Sequence, residues 1–204
     1  RRSGSCGSTR PGRCWIRWPT RTDPPSRLAR LALGYPNGTA WSIAPRLTEK
    51  KDVVAALFSR PILEATNLTN SELADSASYS FAQRIPERQG DVYRGKVVVL
   101  INEDAISQAE HTCMFFEVAT DVTFIGTPTA GANGDVTYMV LPGNLQVTFT
   151  GHNVRHADGR QLQRVGIQPT IRIAPTIRGL IEGRDEILER AIKYLGINPT
   201  ERNR

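Results

Sequence analysis

The chain lacks the long apolar run that a membrane-spanning helix needs. No stretch approaches the ~20 consecutive apolar residues that cross a bilayer, so no membrane span is predicted. Cysteine is scarce as well: of the three, Cys6 and Cys14 lack the second ligand pair that a zinc site would want. Cys113 lies among apolar residues, which is typical of a core position. The sequence therefore predicts neither a metal site nor a cofactor.

Acidic residues are nearly missing from the first thirty residues, which hold eight arginines, no lysine and Asp23 alone. The formal net charge of +6 comes from this basic segment, since the remaining chain carries −1. A basic tail differs from a basic domain, and the rest of the chain offers no electrostatic argument for binding phosphate backbones. No nucleic-acid partner is predicted.

The basic segment also lacks the apolar stretch of a signal peptide, and its Gly, Ser, Pro and Trp bias predicts disorder. The bias stops abruptly near Gly34, so we interpret residues 1–33 as disordered or non-native. Residues 34–197 are expected to form one domain that is incomplete at its N-terminal side. Residues 198–204 are expected to be a frayed tail.

Hydrophobic periodicity predicts an α/β fold around one buried strand. Residues 97–101 are continuously apolar and β-branched, as in a strand covered on both faces of a mostly parallel sheet. A helix is predicted over residues 106–119 and a second buried strand over residues 122–125. This order implies a right-handed crossover between parallel strands.

Weaker patterns predict the other elements. Residues 48–58 are predicted to form a short helix, and residues 138–141 and 145–150 a hairpin. Short strands are predicted at residues 62–65 and 79–85, and an amphipathic helix at residues 184–195.

Ser107 stands where the buried strand turns into the helix. At this position unpaired N–H groups and the positive end of the helix dipole can stabilise a developing oxyanion, as an acyl-transfer nucleophile requires. The alternative is that Ser107 only caps the helix, as serines often do.

Several ordered motifs resemble those of the S41 family of serine peptidases, which contains the tail-specific or carboxy-terminal processing proteases and the tricorn core protease. The resemblance covers residues 95–195, about half of the chain. The motifs are Asn102-Glu103, Ala105-Ile106-Ser107-Gln108-Ala109-Glu110, Ile125-Gly126-Thr127-Pro128-Thr129-Ala130-Gly131, Leu141-Pro142-Gly143, Asp158-Gly159-Arg160-Gln161-Leu162-Gln163 and Val165-Gly166-Ile167-Gln168-Pro169. The order and spacing of these motifs favour the nucleophile over the cap.

The resemblance implies a ClpP/crotonase-like fold and a role for four residues. The family nucleophile matches Ser107, and the backbone N–H of Gln108 would be one oxyanion donor. The second donor matches Gly38, which is otherwise a plain turn glycine. Glu110 matches a glutamate that commonly follows the nucleophile, or it supports the helix as a first-turn acid.

The general base departs from the family pattern. Processing proteases of the family place a lysine in the loop where this chain has Ala132 and Asn133, and the tricorn-like branch uses a histidine upstream of the serine. No histidine precedes Ser107 here. Two candidates within the chain are His111, one turn after Ser107, and His156, in a loop that the family places near the cleft, and His152 is a weaker third. Either one could instead be a satisfied polar residue.

The sequence therefore predicts a serine endopeptidase that hydrolyses peptide or protein substrates through an acyl-enzyme on Ser107. The alternative is an inactive peptide-binding module of the same fold, which would accept an extended peptide beside the predicted hairpin. Fold analogy also suggests acyl-CoA chemistry, but no matching acid pair is present. Because the usual base is missing, we expect this chain alone to have weak or no activity. Family members are often exported, and the sequence fixes no compartment or oligomeric state.

Overall fold

The computed structural model describes residues 26–30, 38–61, 78–87 and 90–196. None of the helices in these ranges is long and apolar enough to cross a membrane. In chain order the elements are β1 (Ser26–Arg30), α1 (Thr39–Ile43), β2 (Val54–Pro61), β3 (Ser78–Arg84), β4 (Lys96–Ile101), α2 (Gln108–Ala119), β5 (Val122–Gly126), β6 (Val136–Leu141), β7 (Leu145–Thr150), β8 (Asn153–His156), β9 (Ile171–Arg172), α3 (Ile177–Ile181) and α4 (Glu186–Leu195).

The central sheet is parallel, with the strand order β1-β4-β5-β9. Residues on alternate sides of β4 enter two different cores, because side chains of a strand point to opposite faces. Val97, Val99 and Ile101 join the larger core with α2, whereas Val98 and Leu100 pack with α4. The predicted strand that is covered on both faces is confirmed, and so is the parallel crossover through α2.

A second sheet is antiparallel, with the order β3-β2-β8, and it packs against the other side of α2. Helix α2 is consequently enclosed between two sheets, and Phe115 and Phe116 are fully buried. The predicted strand over residues 79–85 is confirmed as β3. The predicted strand over residues 62–65 lies outside the described residues.

The helix predicted over residues 48–58 is wrong, because most of this segment forms the extended strand β2. The spacing of Val53, Val54, Leu57 and Phe58 fits one side of a helix, but it fits a strand buried on both faces equally well. Backbone pairing with β3 on one edge and β8 on the other decides the outcome.

The predicted hairpin is confirmed as β6 and β7, paired from Val136↔Thr150 to Leu141↔Leu145. The predicted C-terminal helix is confirmed as α4, which begins at an Asp185 cap and ends at Gly196 in the left-handed conformation. These elements lie around the parallel sheet and give the α/β, ClpP/crotonase-like architecture that the resemblance implied.

Strand β1 lies within the segment that we expected to be disordered. Its backbone pairs in parallel with β4 from Ser26↔Lys96 to Arg30↔Leu100, so it adds an edge strand to the central sheet. Residues 26–30 can form this strand because the edge of β4 offers their backbone groups hydrogen-bond partners. The remainder of residues 1–33, and the tail at residues 198–204, lie outside the described residues.

Candidate active site

Ser107 is the exposed residue that caps the N-terminus of α2, and it follows β4 and a short turn. Its backbone has φ 55 and ψ −111. An ordinary N-cap residue lies in the β region, and a positive φ is costly for any residue with a Cβ. The strand–turn–helix segment therefore holds this serine in a strained conformation that capping alone does not require.

Glu110 is fully buried below Ser107 and connects the helix to the neighbouring loop. Its carboxylate accepts hydrogen bonds from the Ser107 N–H at 3.2 Å, the Gly131 N–H at 2.6 Å and the Ala132 N–H at 2.9 Å. The Thr129 hydroxyl also donates to Glu110, at 2.6 Å. Glu110 lies in the first turn of α2, and its one carboxylate satisfies donors from both the helix start and the loop.

The loop also accepts a hydrogen bond from the backbone of the serine. The N–H of Ser107 donates to the Ala132 carbonyl at 3.0 Å, so residues 131–133 lie directly beside Ser107. These are the positions where processing proteases would place their lysine. Asn133 is 7% exposed, and its Nδ2 finds no hydrogen-bond partner in the described part of the chain.

The family motifs downstream of the serine meet at Thr129. Its hydroxyl accepts from the Ile167 N–H at 2.8 Å, while its own N–H donates to the Ile167 carbonyl at 3.2 Å. Gly166 fits here because it has φ +72 and a Cβ would lie 2.4 Å from the Thr129 carbonyl oxygen. The Gly-x-Pro-Thr and Val-Gly-Ile motifs thus form one support for the loop at Ser107.

His111 lies on α2 one turn after Ser107, as predicted, but within an aromatic cluster. It stacks on Trp41 at 5.1 Å between ring centroids and contacts Phe115 at 4.8 Å and Phe58 at 5.8 Å. Burial lowers the pKa of His111 to about 4, although the charge of Asp135 opposes this shift. Its Nε2 is buried without a partner among the described residues, so the structure does not bring it to the serine hydroxyl.

His156 lies at the opposite end of α2. Its Nδ1 is 2.6 Å from the Glu117 carboxylate, which also accepts from Arg160 at 2.7 Å. Burial raises the pKa of Glu117, but the hydrogen bonds from His156 and Arg160 outweigh burial and leave the pKa below its usual value. Because ten residues of helix span about 15 Å, the expected approach of His156 to Ser107 is not found.

Sequence reasoning ranked His152 below the other two histidines and did not consider its neighbour Asp135. His152 Nδ1 lies 3.1 Å from the Asp135 carboxylate, and the His152 side chain is 15% exposed. The hairpin register brings them together, since pairing of Leu141 with Leu145 also places Gly134 opposite His152. This contact lies two pairs beyond the Val136↔Thr150 end of the observed hairpin.

The two oxyanion candidates lie at helix starts. Gln108 is the first residue of α2, where backbone N–H groups have no acceptor within the helix. Gly38 is exposed and caps α1, which packs against α2 through Trp41. Its φ of −93 is ordinary for any residue, and a Cβ would meet only the Ser42 Oγ at 3.8 Å, so there is no steric requirement for glycine there.

Comparison with known proteins identifies one family. The model of peptidase family S41 matches residues 46–173, which include Ser107, Glu110 and the loop beside them. A comparison with curated proteins finds no match.

Three solved structures share the fold. A peptidase from Parabacteroides merdae ATCC 43184 has a TM-score of 0.67 and 17% identity over 90% of this chain and 64% of that chain. Mature CPAF has a TM-score of 0.54 and 20% identity over 76% of this chain and 40% of that chain. An S41 protease from Bacteroides fragilis NCTC 9343 has a TM-score of 0.51 and 18% identity over 84% of this chain and 44% of that chain. The chain therefore spans less than two thirds of the length of each.

Proposed function

Because this chain belongs to peptidase family S41, a family of serine peptidases, we propose that it is an endopeptidase whose nucleophile is Ser107. Ser107 Oγ would attack the carbonyl carbon of a peptide bond and form an acyl-enzyme, which water then hydrolyses. Peptides or proteins are the substrates of the family.

One observation carries the proposal: Ser107 is exposed at the start of a buried helix with a φ of 55. Strain of this kind persists only where the surroundings fix it, and it clusters at functional sites. The surroundings here are the four hydrogen bonds to the buried Glu110 carboxylate. They hold the serine and the loop at residues 131–133 in one arrangement before substrate binds, as preorganised catalysis requires.

The oxyanion would form beside the helix start. The N–H of Gln108, immediately after the nucleophile, is the first proposed donor, and the dipole of α2 adds to it. Gly38 is the second proposed donor, supported by the packing of α1 against α2 through Trp41 and Phe115. Glu110 acts as a positioning residue, since its four partners leave it no role at the substrate.

Labelling with a fluorophosphonate probe tests Ser107. The wild-type chain is expected to acquire one probe molecule, and Ser107→Ala none. Ser42→Ala is the matched control, because Ser42 is an exposed serine in α1 whose hydroxyl donates to the Gly38 carbonyl. Equal labelling of wild type and Ser107→Ala would contradict the assignment.

A second candidate is a peptide-binding module without activity, and the hairpin favours it. Residues 136–150 contain no charged residue, and the large apolar side chains of this hairpin are exposed. An uncharged exposed strand edge readily pairs with another extended chain. Saturable binding of unstructured peptides without cleavage would support this function, whereas turnover that depends on Ser107 would exclude it.

A further inference from the structure

We infer that two copies of this chain associate through the hairpin formed by β6 and β7, with one face of each hairpin packed on the same face of the other. The inference does not depend on Ser107 or on any catalytic step. It concerns a surface that takes part in neither hydrophobic core.

The hairpin has no second layer in the ranges that the structure describes. Strands β6 and β7 pair with each other and with no third strand there. A two-stranded sheet alone is marginally stable in water, and it gains stability from further strands or from packing against another surface. A covering layer would therefore stabilise this hairpin.

The register of the two strands gives the hairpin one apolar face. Met139 lies opposite Val147, and every second residue along each strand shares their face, because side chains alternate. The large apolar residues of this face are Met139, Leu141, Leu145, Val147 and Phe149. They are between 37% and 60% exposed, so the face presents a continuous apolar surface to solvent. Surfaces of this kind mark interaction sites.

The opposite face of the hairpin is mixed. Its residues are Val136, Tyr138 and Val140 from β6, and Gln146, Thr148 and Thr150 from β7. The amide and hydroxyl groups along β7 lose their contacts with water if this face is covered without new hydrogen bonds, which is costly. The apolar face is therefore the one that we expect to be covered.

The absence of charge favours a second copy as the occupant. In a two-fold contact the same surface of both copies meets itself, so a charged residue near the axis would face a like charge. Residues 136–150 contain no Asp, Glu, Lys or Arg. The nearest charged residue in the sequence, Asp135, precedes β6 at the end of the hairpin away from its turn. Two such faces can approach each other without like-charge repulsion.

The size of the apolar face fits a weak dimer. Packed β-sheets lie about 10 Å apart with interdigitated side chains, an arrangement that two hairpins with six-residue strands can adopt. The five large side chains expose roughly 400 Å² in one copy, so a pair buries roughly 800 Å² of them, and weak complexes bury less than about 1,200 Å² in total. We therefore expect a dissociation constant in the micromolar range and not an obligate dimer.

Sedimentation velocity of the full chain, from micromolar to submillimolar concentration, tests the inference. The wild-type mass is expected to rise with concentration from 22.6 kDa to twice this value. Met139→Arg should raise the dissociation constant at least about 30-fold, the effect of losing one central contact. Val140→Arg is the matched control, because Val140 is the next residue of the same strand, faces the other way and is 66% exposed. Its dissociation constant should remain within about threefold of wild type.

A wild-type chain that stays monomeric over the whole range would overturn the inference. Equal dissociation constants for Met139→Arg and Val140→Arg would also overturn it, since the apolar face would then not be the contact. A monomer that saturably binds an uncharged extended peptide, with binding lost in Met139→Arg, would assign the face to a peptide and overturn the inference too. If Met139→Arg does not fold, Val147→Arg, which changes the residue opposite Met139, decides by the same comparison.

The proposed function is tested separately. Ser107→Ala should dimerise as the wild type does, because Ser107 lies outside the hairpin. Loss of the nucleophile assignment would therefore leave the dimer intact, and loss of the dimer would leave the labelling of Ser107 unchanged.

Discussion

The Oε1 atom of Glu110 lies 2.6 Å from the backbone nitrogen of Gly131, so a helix residue one turn after Ser107 holds the loop beside that serine. The same carboxylate accepts from three further donors and is fully buried. Helix and loop therefore cannot move apart without leaving buried polar groups unpaired, which is costly.

Removal of this carboxylate should destabilise the protein. Glu110→Ala leaves the Thr129 hydroxyl and the N–H groups of Gly131 and Ala132 without this acceptor, and we expect the free energy of unfolding in urea to fall by about 3–5 kcal/mol. The exposed carboxylate of Glu189, which pairs with Arg184 at the surface, provides the control: Glu189→Gln should leave the free energy of unfolding nearly unchanged. Similar losses in both variants would contradict the role of Glu110.

Stability should depend on pH through His111. Its pKa lies at about 4 in the folded state, against the ordinary histidine value of 6.5 in the unfolded chain, so between these pH values the unfolded state binds the additional proton. Unfolding is thereby favoured as the pH falls, and at about pH 4 the loss attributable to His111 should be about 3 kcal/mol. His111→Phe keeps an aromatic ring in the cluster and should abolish this part of the dependence. If the free energy of unfolding in urea changes with pH equally in wild type and His111→Phe, the role of His111 is refuted.

Gly134 should tolerate no side chain. In Gly134→Ala the Cβ would lie 2.4 Å from the His152 carbonyl oxygen, and the φ of +131 is unfavourable for alanine. We expect a loss of about 3 kcal/mol or more in the free energy of unfolding. Gly143→Ala is the matched control, because it has φ +86 but no neighbour within 4 Å, and only the conformational cost of about 1 kcal/mol should remain. Equal losses in the two variants would show that the close approach of residue 134 to His152 does not add to the cost of a side chain there.

His156 should matter for stability and not for chemistry. His156→Ala removes a partner of Glu117 and is expected to lower the free energy of unfolding by about 1–3 kcal/mol. Its rate of fluorophosphonate labelling, measured at a temperature where the variant is folded, should remain within twofold of wild type. A 100-fold lower labelling rate in His156→Ala would instead indicate that His156 is the general base.

The elements with one clear periodicity could be predicted from sequence. The apolar, β-branched run of β4 and the turn residues between β6 and β7 allow one interpretation each, and both are confirmed. Strand β2 could not be predicted, because its apolar spacing suits a helix and a strand equally well. Its extended conformation is determined by backbone pairing with β3 on one edge and β8 on the other. The site shows the same contrast. The position of Ser107 follows from a local strand–turn–helix pattern in the sequence, whereas the contact of Asp135 with His152 depends on how the two hairpin strands pair.

The central claim, that Ser107 is the nucleophile, is tested most directly by locating the modified residue. The chain is labelled with a fluorophosphonate, digested, and its peptides are sequenced by tandem mass spectrometry. The account predicts a single adduct on Ser107, present in wild type and Ser42→Ala and absent from Ser107→Ala. An adduct on another serine, or equal labelling of wild type and Ser107→Ala, would contradict it.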